Sequence, residues 1–92
     1  MKKSLMDILA CPMDKHHPLS LIVFQENEPK TEVIEGLIVC TQCRRWYPIR
    51  NLVPEFLPDN LREEKMEVEF LKKWKNQIPQ DTLEQGEPFS LK

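Results

Sequence analysis

Apolar positions along this chain change rhythm three times. Near the N-terminus Leu5, Ile8 and Leu9 share one side of a short helix that ends before Cys11-Pro12. Ser4-Leu5-Met6-Asp7 resembles a capping box, with Ser4 expected to take an orphan amide and Asp7 to answer it. Branched and aromatic residues then predict strands over Pro18 to Phe24, Thr31 to Val39 and Trp46 to Ile49. Gly36 interrupts the second of these and marks a bulge or a close backbone approach. Arg50-Asn51 reads as a turn, after which Leu52 to Leu57 runs extended, with Pro54 favouring a sheet edge.

A helical period takes over after Asp59, the expected N-cap of one long helix from about Asn60 to Gln77. Glu63 and Glu64 near its start and Lys72, Lys73 and Lys75 near its end suit the helix dipole. Glu69 and Lys73 form an i, i+4 pair. Met66, Phe70 and Trp74, with Leu71 and Ile78, give an apolar stripe that reads as a lid on the sheet. Pro79 stops the helix. Gln80 to Lys92 is polar apart from Leu83, Phe89 and Leu91, and reads as a mobile tail, with a docked arm as the alternative. The pattern therefore predicts an α+β fold, a small zinc-ribbon-like antiparallel sheet of about four strands packed with a short N-terminal helix and a longer C-terminal one. Residues 1–78 are expected to form a single domain and 79–92 a polar tail.

Composition narrows the choices. At 92 residues the apolar core gives a small stability margin, so a metal or a partner surface is an expected supplement. No run of about 18 apolar residues is present, so no membrane span is expected. Met1-Lys2-Lys3 is basic, but the apolar run behind it is short and broken by Asp7, unlike a secretory signal. Three cysteines without such a signal point to metal or thiol chemistry in the cytoplasm rather than a disulfide framework. A net charge of −2 argues against a chain held to nucleic acid mainly through phosphates. Lys15, His16, His17, Arg44 and Arg45 nevertheless cluster beside the cysteines, so a local RNA contact through Lys15, Arg44 and Arg45 is an open reading.

The cysteines carry the chemistry. Cys40-Thr41-Gln42-Cys43 is a metal-knuckle spacing, and Cys11-Pro12-Met13-Asp14 has the same form with aspartate in place of the second cysteine. Cys11, Cys40 and Cys43 are the firm donors, and the fourth is Asp14 or, if the loop widens, His16. An ion with every position filled by protein is structural, and zinc suits this donor set. Three buried thiols without metal remain the alternative. A thioredoxin-like motif would open a helix, whereas Cys43 is followed by Arg-Arg-Trp-Tyr-Pro-Ile, a strand. A rubredoxin-like centre needs four thiolates. No Gly-rich phosphate loop or nucleophile elbow is present, which points away from an enzyme.

Trp46-Tyr47-Pro48-Ile49 through Leu52-Val53-Pro54-Glu55-Phe56-Leu57 holds more apolar bulk than so small a ribbon buries on one face. One reading covers both faces internally; the sharper one leaves an edge for a larger protein to complete by strand addition and apolar pockets. At these residues the chain resembles the small zinc-ribbon activator subunits of S-adenosylmethionine-dependent methyltransferases, the multifunctional methyltransferase-subunit family. MKKSLMDILACP, GLIVCTQCRRWYPI and LVPEFLPD carry the resemblance, over about residues 1–60. Only Lys15 to Val39 separates the knuckles, which matches the compact archaeal or bacterial form.

The resemblance implies a non-catalytic subunit, bound as a 1:1 heterodimer to a methyltransferase acting on tRNA, rRNA or a translation release factor. S-adenosylmethionine would then sit in the partner alone. Carried over by position, Tyr47, Pro48, Ile49, Val53 and Pro54 match the family's motif, and Leu52, Phe56 and Leu57 extend the expected contact. Leu52 departs, since the family often has glycine there, and Asp14 departs from the usual second cysteine. A different class of function, a free-standing zinc ribbon that binds RNA, is the alternative.

Overall fold

The computed structural model describes residues 1–17, 19–57 and 59–91. A four-stranded sheet in the order β1-β2-β3-β4 forms the centre, with β1 at Ser20–Glu26, β2 at Val33–Val39, β3 at Trp46–Arg50 and β4 at Val53–Pro54. Each neighbouring pair is antiparallel. The expected start of the first strand, Pro18, lies outside the described residues. Gly36 faces Val23 in the register, beside the point where β1 bulges. A Cβ added at Gly36 would lie 2.7 Å from the Ile22 carbonyl, so this position is a close backbone approach that only glycine permits.

Alternation along the strands separates two cores. Leu21, Val23, Val33, Ile38, Tyr47 and Ile49 share one face with Met1, Cys11, Leu19 and Cys40. Ile22, Phe24, Leu37, Val39 and Trp46 share the other, where Phe70, Leu71 and Ile78 pack against them. Both faces of β3 are thus covered, and Trp46 through Ile49 are buried.

The helices depart from expectation in instructive ways. Lys3–Asp7 forms a 3-10 turn whose N-cap is Lys2 and which has no side-chain cap, so Ser4 does not play the capping role its spacing suggests. In place of one long helix there is a 3-10 turn at Asp59–Leu61, helix α1 at Glu64–Trp74 and another 3-10 turn at Lys75–Gln77. Asp59 is not the cap of α1, because its carboxylate faces Arg45 instead. Lys73 approaches Glu35 rather than Glu69, at 3.9 Å. Met66 is exposed, and the stripe is rotated onto Glu67, Phe70, Leu71 and Trp74.

The polar tail also folds. Helix α2 spans Gln80–Gln85, and Leu83, Phe89 and Leu91 pack on the second core. Glu87 forms a parallel bridge with Arg45, on the stretch of chain leading into β3. Its N–H reaches the Arg44 carbonyl at 2.8 Å and its carbonyl accepts from Trp46 at 3.1 Å. The Trp46 indole N–H then donates to the Phe89 carbonyl at 2.9 Å. Three apolar side chains in thirteen residues are enough to dock this segment because the sheet offers an aromatic face to meet them.

Candidate metal centre and docking surface

The two knuckles are the same backbone device used twice. In the first, the Lys15 N–H donates to the Cys11 carbonyl at 2.7 Å and the Cys11 N–H to the His16 carbonyl at 3.0 Å. In the second, the Arg44 N–H donates to the Cys40 carbonyl at 2.9 Å and the Cys40 N–H to the Arg45 carbonyl at 2.8 Å. Lys15 and Arg44 occupy equivalent places, and both take the left-handed conformation, at φ 61° and 63°. Asp14 therefore stands where Cys43 stands in its own knuckle.

Donor atoms of Cys11, Asp14, Cys40 and Cys43 all lie within 4.8 Å of one another. Cys11 Sγ is 3.6 Å from Cys43 Sγ, and Cys40 Sγ is 3.6 Å from both Asp14 oxygens. Tetrahedral sulfur ligands about 2.3 Å from zinc stand about 3.8 Å apart, so the four donors fit one such ion. His16 is not among them. Its backbone N–H instead donates to Asp14 Oδ1 at 3.0 Å, which orients the carboxylate and holds its pKa below the usual value.

Charge sets the condition for binding. Burial pushes the Cys40 thiol up to about 12, so in the metal-free chain it keeps its proton, and metal entry must expel it. Arg45 is held in its charged form chiefly by Asp59 and next by Cys43, placing a fixed cation beside the donors. Tyr47 completes the surroundings, with its hydroxyl 3.3 Å from Cys11 Sγ. Burial first, and Cys11 second, raise the pKa of that hydroxyl, so it is a neutral hydrogen-bond partner for the sulfur.

The expected partner contacts divide into two sets. Tyr47, Pro48 and Ile49 are fully buried in the chain's own core. The physical reason is the sheet order, which puts β3 inside with a covering layer on each face. Leu52, Val53 and Leu57 are exposed, Val53 at 57%, while Pro54 and Phe56 are half-buried. Phe56 packs on Tyr47 with ring centroids 5.0 Å apart. β4 pairs with β3 on one side and has no partner on the other among the described residues. Exposed Leu5 and Ile8 add apolar surface on the N-terminal turn, Ile8 at 75%. Asn51 and Leu52 are left-handed, at φ 49° and 72°, so the turn keeps the conformation glycine would favour even though leucine occupies it.

The basic residues beside the knuckles are largely engaged. Arg45 makes a bidentate pair with Asp59, at 3.0 and 2.7 Å, and Arg44 donates to Gln85 at 2.6 Å. Lys15 is exposed. Sequence reasoning missed a second buried cluster, in which Arg62 donates to the Trp46 carbonyl at 2.6 Å and its guanidinium lies 4.5 Å over the indole. Glu67 answers it at 3.3 Å and also meets Arg50 at 3.4 Å. The signal was available: Glu67 sits three, four and seven positions before Phe70, Leu71 and Trp74, on the apolar stripe itself.

Paired knuckles of this geometry beside a small antiparallel sheet make the chain a zinc-ribbon-like domain, with exposed apolar side chains at its end strand β4. Residues 2–51 match the model of the Trm112p-like protein family, and the chain belongs to that family. The chain is also 42% identical, with a TM-score of 0.62, to a chain in a complex between the Haloferax volcanii Trm112 methyltransferase activator and a protein assigned as a methyltransferase. That match covers 67% of this chain and 100% of the other. No curated protein matches.

Proposed function

We propose that this chain is a non-catalytic activating and stabilising subunit, bound 1:1 to S-adenosylmethionine-dependent methyltransferases of class I. The observation that carries the reading is the outer side of β4, where Leu52, Val53 and Leu57 are exposed and no further strand pairs among the described residues. An edge of this kind invites strand addition by a larger sheet, and the relative in the Haloferax volcanii complex is a methyltransferase activator. In this reading S-adenosylmethionine and the methylated tRNA, rRNA or release factor belong to the partner, and the complex works in the cytoplasm. Zinc is the ion that best suits Cys11, Asp14, Cys40 and Cys43, and it would cross-link the two knuckles without taking part in a reaction. A free-standing RNA-binding ribbon is less well supported, since Arg45 and Arg44 are committed to Asp59 and Gln85.

Co-expression of the tagged chain with class I methyltransferases from the same genome tests the proposal. A salt-resistant 1:1 complex is expected with at least one of them. Val53→Asp and Leu57→Asp should abolish it while the free chain keeps its circular dichroism spectrum, because each charge would be desolvated only on docking. Failure of every methyltransferase to bind, or native binding by both variants, would sink the reading.

A further inference from the structure

The turn between β3 and β4 presents Leu52 and Val53, and groups outside the hairpin hold it. Asn51 and Leu52 are both left-handed, a conformation that non-glycine residues keep only where neighbouring contacts impose it. The Leu52 N–H donates to the Ile34 carbonyl at 3.0 Å, and the Asn51 N–H donates to Glu35 Oε2 at 2.8 Å. The other Glu35 oxygen stands 3.9 Å from Lys73 Nζ on α1. Just past β4, the Glu55 N–H donates to the Pro48 carbonyl at 2.9 Å.

Arg50 joins this hairpin to the C-terminal layer. It closes β3 immediately before the turn and faces Val53 in the register. Its Nη1 donates to both carboxylate oxygens of Glu55, at 3.1 and 3.0 Å. Its Nη2 stands 3.4 Å from the Met66 carbonyl oxygen and 3.4 Å from Glu67 Oε2, both on α1. The guanidinium also lies 5.0 Å over the Phe70 ring. One side chain thus bridges the segment after β4 to the first turns of α1. Charge-assisted hydrogen bonds from a planar guanidinium fix direction as well as distance. The Arg50 side chain is 23% exposed and that of Glu67 4%, so the bridge is partly shielded from the screening that weakens surface ion pairs.

We propose that Arg50 is a positioning residue through which α1 sets the shape of the β3–β4 hairpin, and with it the docking edge. Helix α1 lies beyond residues 2–51, which match the family model, so this control belongs to the C-terminal layer and not to the ribbon. Without the bridge Glu55 gains freedom, and the two left-handed residues lose part of their frame. The hairpin then samples other shapes. The further step from a loosened hairpin to weaker docking rests on the activator reading; the loosening itself does not.

Amide hydrogen exchange on the full chain tests the bridge. Arg50→Met keeps apolar bulk over Phe70 and removes every charged contact. Glu67 retains Arg62 as its counter-charge and Glu55 reaches water, so the variant is expected to fold. Exchange at the Leu52 and Glu55 amides should accelerate about tenfold more than exchange at Ile38 in β2. Glu67→Gln weakens the far end of the bridge and should accelerate the same two amides less, with no further gain when combined with Arg50→Met. Should Glu67→Gln not fold, Glu67→Asp shortens the same carboxylate and takes its place. Equal acceleration at Leu52, Glu55 and Ile38 would make Arg50 an ordinary stabilising residue and overturn the proposal. Full additivity with the Glu67 variant would remove α1 from the bridge and overturn it too. Docking is a separate readout, on a methyltransferase that binds the native chain. Arg50→Met should dissociate about tenfold faster although Leu52, Val53 and Leu57 are intact. Native dissociation of Arg50→Met, with Val53→Asp still blocking the complex, would overturn the link from hairpin shape to docking. Native binding by Val53→Asp as well would overturn the activator reading of this edge and leave the bridge standing on its exchange data.

Discussion

The two faces of the sheet are stabilised by different means. On one, small and medium side chains pack around Cys11, Cys40 and Tyr47, and the knuckles bring four potential metal donors together. On the other, aromatic rings dominate: Phe24 stacks on Trp74 at 4.8 Å, and Trp46 lies nearly parallel to Phe70 at 6.2 Å. That second core is sealed by the buried Arg62–Glu67 pair. The family model ends at residue 51, ahead of α1, and a third of the chain lies outside the match that takes in the whole of the Haloferax volcanii relative. The metal face thus belongs to the shared ribbon, while the aromatic face is closed by segments beyond the family model. A face completed by a bound ion would respond to ligand conditions, and a packed aromatic face would not.

Breaking each face separately sharpens the contrast, and the metal face is expected to give the larger effect. Cys40→Ser, or prolonged chelation of metal-loaded protein, should remove about 4 kcal/mol or more, read as a fall in melting temperature. Zinc should restore the chelated native chain and leave Cys40→Ser unrescued. On the aromatic face, Glu67→Ala strands Arg62 beneath Trp46 without a counter-charge and should cost about 3 kcal/mol, unaffected by zinc. The double variant with Arg62→Met should recover most of that loss, since it removes the stranded charge. A Glu67→Ala loss that grows or shrinks with zinc would show that the two faces melt as one unit.

Strand positions were legible because Val, Ile, Phe, Trp and Tyr cluster between turn residues, and the β1–β4 order follows from short antiparallel connections. The knuckles were legible from cysteine spacing, and their backbone equivalence shows why Asp14, not His16, enters the donor cluster. Three things were not legible. Ser4 has the spacing of a cap, but the first residues run along β2 and make only a 3-10 turn. Tyr47 and Ile49 read as apolar excess, yet Met1, Leu9, Cys11 and Leu19 cover their face while residues 59–91 fold back over Trp46 on the other, two layers that pattern alone does not reveal. The tail's few apolar residues carry no periodic signal, and their docking depends on a tertiary surface made by β1, β2 and β3.

A smaller effect separates shape from contact at the docking edge. Leu52→Gly should stabilise the free chain by about 0.5–1 kcal/mol, because glycine adopts the left-handed backbone without the side-chain clash, offset in part by its looser unfolded state. The same change deletes an exposed apolar side chain and should weaken partner binding. Denaturant unfolding and binding of one variant thus move in opposite directions. A variant that loses both would mean that the leucine side chain supports the turn it strains.

The smallest expected effect concerns the ion pair that joins the two regions, between Arg45 beside the second knuckle and Asp59 at the head of the C-terminal layer. Arg45 lowers the Asp59 pKa, so the folded state binds the proton less readily than the unfolded chain does. The sign follows directly: the contribution is complete above the unfolded carboxylate value of about 3.9 and disappears as pH falls through the lower, folded one. With the Asp59 side chain 35% exposed, screening limits the effect to about 0.5–1 kcal/mol. Native protein and Asp59→Asn should therefore differ in urea stability by that amount at pH 6, and the difference should vanish near pH 2. Subtracting the variant cancels any acid effect at the knuckle cluster, which both chains share. A difference that persists at pH 2 would mean that Asp59 acts through packing and not through its charge, and the joint between the faces would then be steric.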